Sequence, residues 1–491
     1  MSQKIWEFLK SLAGALFQAE LPKNRRWIAG LGLVSLYIFG LAWFGIFFQK
    51  GSFSMEFEDW SRITAPRLQF LRTALKEGQL PLHISDATTM HNATTRYLSV
   101  PDTLISPQLV LLYWLPIQWF AIADVWILYT LGFVGLLVLR ARFRLALVPF
   151  TVLSLLFNFN GNILAHYAVG HFSWGGYFLF PWFAWLIYRL LDGDCTWKWT
   201  LGMAGLMFII WLQGSYHQFI WLLMLLGLVG VLVPRTFWTV LRTGVFTLLM
   251  SAFRLLPAIL INGHYVGSFD NGFPTLYSVW EYLVNIAAPS EAKFFYMGTG
   301  PKIGAWEMTT FVGLTGAIFL IYFGVYRGLL ARKAPFRELA LPLGAIFLLS
   351  TGSFYNPISS LDIPLLNGER ITSRIISVVL VFVLIAAVER FQRWLDASDR
   401  KPFLAAGSLL AFSMIGMDLW LNMNVWRIAH AAQYFQWVMY DKNLWFVKND
   451  PSDTIYIWLV FGGLAISVVT FIGLAGLTWR ETRRQKIISV T

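Results

Sequence analysis

Residues 455–478 read "IYIWLVFGGLAISVVTFIGLAGLT", a run without a single charged side chain. An α-helix rises about 1.5 Å per residue, so a run of this length reaches across the roughly 30 Å hydrocarbon layer of a bilayer. The same texture recurs upstream, near 27–48, 123–139, 145–159, 173–190, 199–213, 217–233, 237–261, 308–326, 338–352, 375–392 and 403–421, giving twelve expected spans. Composition agrees: 57% of the 491 residues are hydrophobic, 13% are charged and 24 are Trp. Mean hydropathy is +0.60. A water-soluble fold of that make-up would carry more apolar surface than one core can take in. The expected fold class is therefore an all-α polytopic membrane protein with about twelve transmembrane helices.

The net charge of +12 invites a nucleic-acid reading, but its placement argues for topology. Alternate connections carry "PKNRR", "RARFR", "YRLLDGDCTWK", "PR", "RGLLARKAPFRE", "ERFQRWLDASDRK" and "RETRRQK", the basic ends that the positive-inside rule assigns to the cytoplasm. Both termini are then expected inside an inner (plasma) membrane, with the working face outside and no nucleic-acid partner. Cys195 is the single cysteine, so neither a disulfide framework nor a Cys-based metal site is available. The first residues lack the basic n-region, apolar core and cleavage site of a signal peptide. Ile5, Phe8, Leu9, Leu12, Leu16 and Phe17 recur instead at helical spacing, as in an amphipathic helix on a membrane surface.

Three parts follow: an N-terminal surface helix over 1–26, a transmembrane core over 27–395 with outer loops 49–104 and 262–307, and C-terminal helices over 396–491 with an outer segment 422–454. Within the first outer loop, "RLQFLRTALKEGQLPLHIS" predicts an interfacial helix with Leu68, Leu71 and Leu75 on one side, stopped by Gly78 and Pro81. Pro116 divides the long apolar run after it, so residues 106–120 read as a second interfacial helix leading into the second span.

Charged groups in a membrane must pair, line a polar cavity or sit at the rim. Here Asp124, Arg254, Arg374 and Asp418 all fall towards the outer ends of expected spans, and none is at mid-depth. That pattern favours a cavity opening outward over a proton- or ion-driven pump. Just past the first span stands "EFEDW" at 56–60, where Glu56, Glu58 and Asp59 offer a general base at the cavity mouth. His83, His91, His166, His171 and His217 all lie near the same face as candidates for substrate contact, although no pair has the spacing of a zinc motif. An outer His with a carboxylate could hold a divalent metal ion. For anions the candidates are Arg254, Arg370 and Arg374, whose planar guanidinium matches phosphate. There is no Walker A loop, dinucleotide fingerprint or serine-nucleophile elbow, so an activated substrate must bring its own energy.

The acidic residues after the first span, followed by "EGQLPLHIS", "SPQLVLLYWLP", "GHFSWGGYFLFPW", "QGSYHQFIW", "SAFRLLPAI", "TTFVGLTGAIFL" and "LSTGSFYNP…IPLLNGERITSR", together resemble polytopic glycosyltransferases of the GT-C fold, and within them the bacterial YfhO-like branch. The resemblance covers about residues 27–395. It implies a polyprenyl-phosphate-linked sugar as donor, membrane lipids around it, and an extracytoplasmic glycan, lipid or protein as acceptor. The catalytic carboxylate would fall on Asp59 or Glu58, although E-x-E-D departs from the commonest acidic patterns of the superfamily. Two other classes fit the same outward cavity: a lipid or polymer transporter, and a non-catalytic membrane subunit of a larger complex.

Overall fold

The computed structural model describes residues 14, 16–53, 55, 58–87, 94–261, 272–289, 304–331, 335–359, 369, 371–397, 401–428 and 446–488. Expectations resting on the N-terminal amphipathic stretch up to Leu12, on Glu56, His91 and Arg370, and on most of the loop 262–307 and of the segment 422–454 lie outside the described residues.

Among them the chain is all-helical, and its only β-type pairings are three isolated bridges. The principal helices are α1 (Arg26–Phe47), α2 (Ala65–Glu77), α3 (Ile117–Phe143), α4 (Leu147–Asn158), α5 (Gly161–Val169), α6 (Phe180–Leu191), α7 (Trp197–Leu212), α8 (Tyr216–Leu232), α9 (Phe237–Met250) and α10 (Ala252–Ala258). They continue with α11 (Leu276–Val284), α12 (Gly313–Phe319), α13 (Phe336–Leu349), α14 (Gly352–Ser359), α15 (Ile376–Asp396), α16 (Lys401–Trp426) and α17 (Thr454–Ile488).

Five stretches are long and apolar enough to cross a membrane: Lys23–Phe47, Ile117–Phe143, Leu147–Val169, Thr372–Asp396 and Thr454–Gln485. A sixth arises if α8 and α9, bent by 114° at their junction, count as one broken span. The polytopic character read from composition is thus carried by helices of the required length. Their packing points the same way. Thr372–Asp396 is 89% buried at the centre of the bundle, whereas Thr454–Gln485 is equally apolar and only 28% buried. Its Ile455, Trp458, Val469 and Ile472 face outward, and a helix apolar on its exposed side needs lipid rather than water.

The connection from α1 to α3 forms as its turn chemistry dictates. Helix α2 ends at Gly78, whose φ of 65° is the left-handed cap that glycine adopts most readily. Leu68 and Leu71 are buried. After a short 3-10 turn over Pro107–Tyr113 the chain breaks at Pro116, and α3 starts at Ile117 rather than near residue 123.

The division expected at residue 395 does not separate packing units. Helix α17 lies along α10, where a Cβ at Gly463 would sit 2.5 Å from the Ala252 carbonyl oxygen. At its start it clamps the chain between α2 and α3. Arg96 donates to both oxygens of Asp453 at 2.6 and 2.9 Å, His83 Nε2 meets the same carboxylate at 3.1 Å, and Ile84 bridges to Val447. Buried Tyr456 completes the clamp, its hydroxyl accepting from Leu98 N and donating to Leu82 O. Tyr456→Phe strands the Leu98 N–H, while the Leu82 carbonyl keeps its bond from Tyr97 N at 2.8 Å, so a loss of about 1–3 kcal/mol is expected, read as a lower thermal midpoint of the detergent-purified chain.

Candidate functional site

Past α1, the turn bearing Asp59 is set by its neighbours. Trp60 is fully buried, and its indole donates to the Tyr167 carbonyl at 2.8 Å. Thr64 Oγ1 donates to the Gly170 carbonyl at 2.6 Å. Gly170 closes α5 with φ 93°, while His171 N reaches back to His166 O at 2.9 Å, the reverse turn of a Schellman cap. A Cβ at Gly170 would lie 2.2 Å from Trp60 N and 2.7 Å from the Asp59 carbonyl carbon. The residue is therefore glycine for two reasons, conformation and contact. Glu58, just before, holds an unusual φ of 41°, a strained setting for a side chain with a Cβ.

These contacts place Asp59 on a cavity of about 250 Å³, together with Glu58, Arg67, Asp102, His171, Trp174, His217, Glu307 and Arg374. Each charged group has a specific partner. Asp59 Oδ2 lies 3.0 Å from His171 Nε2. Arg374 Nε and Nη2 meet the two oxygens of Glu307 at 2.5 Å each, and the Arg374 guanidinium lies 5.0 Å over the Trp174 ring. Arg67 Nη1 stands 3.3 Å from Asp102 Oδ2. His217 Nδ1 is 2.9 Å from Glu369 Oε2, an oxygen that also accepts from Trp221 Nε1 at 2.7 Å.

The electrostatics follow from these pairings. Burial pushes the Asp59 carboxyl up, but the hydrogen bond and charge of His171, with the charges of Arg374 and Arg67, outweigh it and hold the group below its ordinary range. Glu307 and Asp102 likewise end below theirs, because Arg374 and Arg67 respectively overcome burial. Glu58 goes the other way: burial raises it, the Asp59 charge adds to that, and Arg62 opposes it only in part. An ionised Asp59 only accepts, so His171 Nε2 donates to it. With Nε2 so engaged, His171 Nδ1 faces His166 Nδ1 across 2.7 Å, and one of the two nitrogens must donate to the other. Behind this pair His166 is fully buried, with its ring stacked on Trp174 at 3.7 Å between centroids. For a metal, His166, His171 and Glu307 each offer one ligand atom, all within 4.8 Å of one another.

Of the residues singled out in the sequence, Asp59, Glu58, Arg374, His171 and His217 line the cavity and His166 backs it. Two are placed elsewhere. Arg254 is fully buried away from the cavity, where its Nη2 donates to the carbonyls of Val100, Pro101 and Thr103; it holds the loop that carries Asp102, and no phosphate-binding role fits that position. His83 belongs to the Asp453 clamp and contacts no part of the cavity. Sequence reasoning missed Arg67, Asp102, Trp174, Glu307 and Glu369. Arg67 had a signal, since Thr64, Arg67, Leu68 and Leu71 follow the spacing of one helical face and all line the cavity. Asp102, Glu307 and Glu369 come from three separate loops, and nothing local marks them.

No protein-family model matches the chain, and no curated protein matches it.

Two outcomes follow from this geometry. Gly170→Ala forces the turn away from Trp60 and should destabilise the chain by about 2 kcal/mol or more, with the thermal midpoint as readout. Unfolded Asp and Glu titrate near about 4, and the folded Asp59, Asp102 and Glu307 titrate lower. Their contribution is complete above that range and is lost as pH falls through the folded values. The thermal midpoint should thus fall progressively below about pH 5, and less steeply in Arg67→Gln, where Asp102 has lost the partner that depresses it.

Proposed function

We propose that this chain is an integral membrane glycosyltransferase of the GT-C type, moving a sugar from a polyprenyl-phosphate donor to an extracytoplasmic acceptor. The proposal includes twelve spans, cytoplasmic termini and a cavity facing outward. The observation that carries it is the sharing of one cavity by Asp59 and Arg374, a carboxylate ionised at neutral pH and a guanidinium suited to phosphate. Solvent reaches 31% of the Asp59 side chain, so an acceptor hydroxyl can approach it.

In this reading the acceptor hydroxyl gives its proton to Asp59 as its oxygen attacks the anomeric carbon. The bond from that carbon to the phosphate oxygen breaks, and the electron pair leaves with the polyprenyl phosphate. The configuration inverts in this single displacement, by analogy with inverting glycosidases. His171, hydrogen-bonded to Asp59, keeps the carboxylate aimed. Charge building on the departing phosphate meets Arg374 and Arg67. No nucleotide is consumed, because the sugar-phosphate bond is already activated.

The test is sugar transfer from a polyprenyl-phosphate monosaccharide by purified protein in detergent. Asp59→Asn should lower the rate by about 100-fold or more without shifting the elution profile, and Arg374→Gln should raise the donor KM. Full activity in a folded Asp59→Asn variant overturns the assignment. Movement of donor across reconstituted vesicles without covalent transfer replaces it with a transporter.

A further inference from the structure

The cavity has a feature that the transfer chemistry leaves unused. His166 Nδ1 and His171 Nδ1 point at each other across 2.7 Å, and a Glu307 oxygen lies within 4.8 Å of a ring nitrogen of each. The pair is held by the backbone itself, since the cap at Gly170 brings residues 166 and 171 together. On its far edge His171 donates Nε2–H to Asp59 at 3.0 Å. A carboxylate behind an imidazole is the usual outer support of a metal-bound histidine; it fixes the tautomer and leaves the other nitrogen bare.

Charge supplies an independent argument. Glu58, Asp59, Asp102 and Glu307 face the cavity against Arg67 and Arg374, with Arg62 pairing Glu58 from beside it at 3.9 Å. Carboxylates therefore outnumber guanidiniums, an excess that favours a cation.

We propose that His166, His171 and Glu307 bind one first-row transition-metal ion, of the zinc or manganese kind. Two imidazole nitrogens and a carboxylate oxygen suit such ions, whereas magnesium and calcium favour oxygen donors throughout. Glu307 need not release Arg374, because each carboxylate oxygen has two acceptor sites. Two nitrogens about 2.1 Å from an ion at the tetrahedral angle stand about 3.4 Å apart, so the imidazoles must part by roughly 0.7 Å from their separation of 2.7 Å. An ion here lies beside Asp59 and Arg374, where it would add positive charge to a wall whose arginines are already paired.

The intact chain, purified in detergent and stripped with EDTA, is titrated with Co²⁺ while its visible d–d absorption is followed, and bound Zn²⁺ and Mn²⁺ are counted by elemental mass spectrometry. About one ion per chain is expected, with Zn²⁺ displacing Co²⁺. His166→Ala and His171→Ala should each weaken binding by at least about tenfold, and Asp59→Asn by about 10–100-fold. His83→Gln, away from the cavity, should bind as the parent does. Less than about a tenth of an ion per chain in folded protein overturns the inference, as does parent-like binding by the ligand variants or loss of binding in His83→Gln. If the alanine variants do not fold, Glu307→Gln and Asp59→Asn decide by the same criterion. Metal binding without sugar transfer would sink only the glycosyltransferase reading; transfer without metal would sink only this one.

Discussion

The close approach of the Gly170 turn to the backbone of Asp59 and Trp60 is the constraint on which the cavity depends. It joins two stretches more than a hundred residues apart, anchored by the Trp60 indole on Tyr167 and the Thr64 hydroxyl on Gly170. The same turn that receives Asp59 presents His171 to it. Packing and chemistry are therefore coupled here: the side chain cannot be re-aimed without lifting a fully buried tryptophan.

Around that point the arrangement obeys the cost of burying charge. An unpaired ion in a poorly solvated interior is strongly disfavoured, and removing one member of a buried pair leaves the other stranded. Every lining arginine faces a carboxylate, and every lining histidine has one within hydrogen-bonding reach. Pairing of this kind adds little net stability, but it fixes where each group sits. A lining with more carboxylates than guanidiniums is acidic, and selective for what can add positive charge or donate hydrogen bonds.

Much of this was legible from residue order. Apolar length gave the helical architecture, Gly78 and Pro116 gave the boundaries of the elements between α1 and α3, and the scarcity of charge in and beside the apolar runs made Asp59 and Arg374 conspicuous. The count of crossings was harder to read. Apolar runs such as 217–233 and 237–261 are equivalent on paper, yet α8 and α9 fold back at 114°, a geometry set by packing around the junction at Pro234 rather than by hydropathy. Arg254 illustrates the other failure. A lone arginine in an apolar run signals a polar need, but three backbone carbonyls can meet it as well as a phosphate can. Asp102, Glu307 and Glu369 were out of reach because loops carry no periodicity, and only the tertiary fold gathers them.

The clamp between Arg96 and Asp453 joins positions 357 residues apart in sequence. At ordinary translation speeds of 5–20 residues per second, roughly 20–70 s separate the synthesis of its two halves. The loop bearing His83 and Arg96 must wait through that interval without its cover, exposing polar backbone that the finished molecule hides. Closing of this clamp is thus a late event, and a nascent chain arrested before the final helix would present the loop bearing His83 and Arg96 uncovered to chaperones and proteases rather than a smaller working protein.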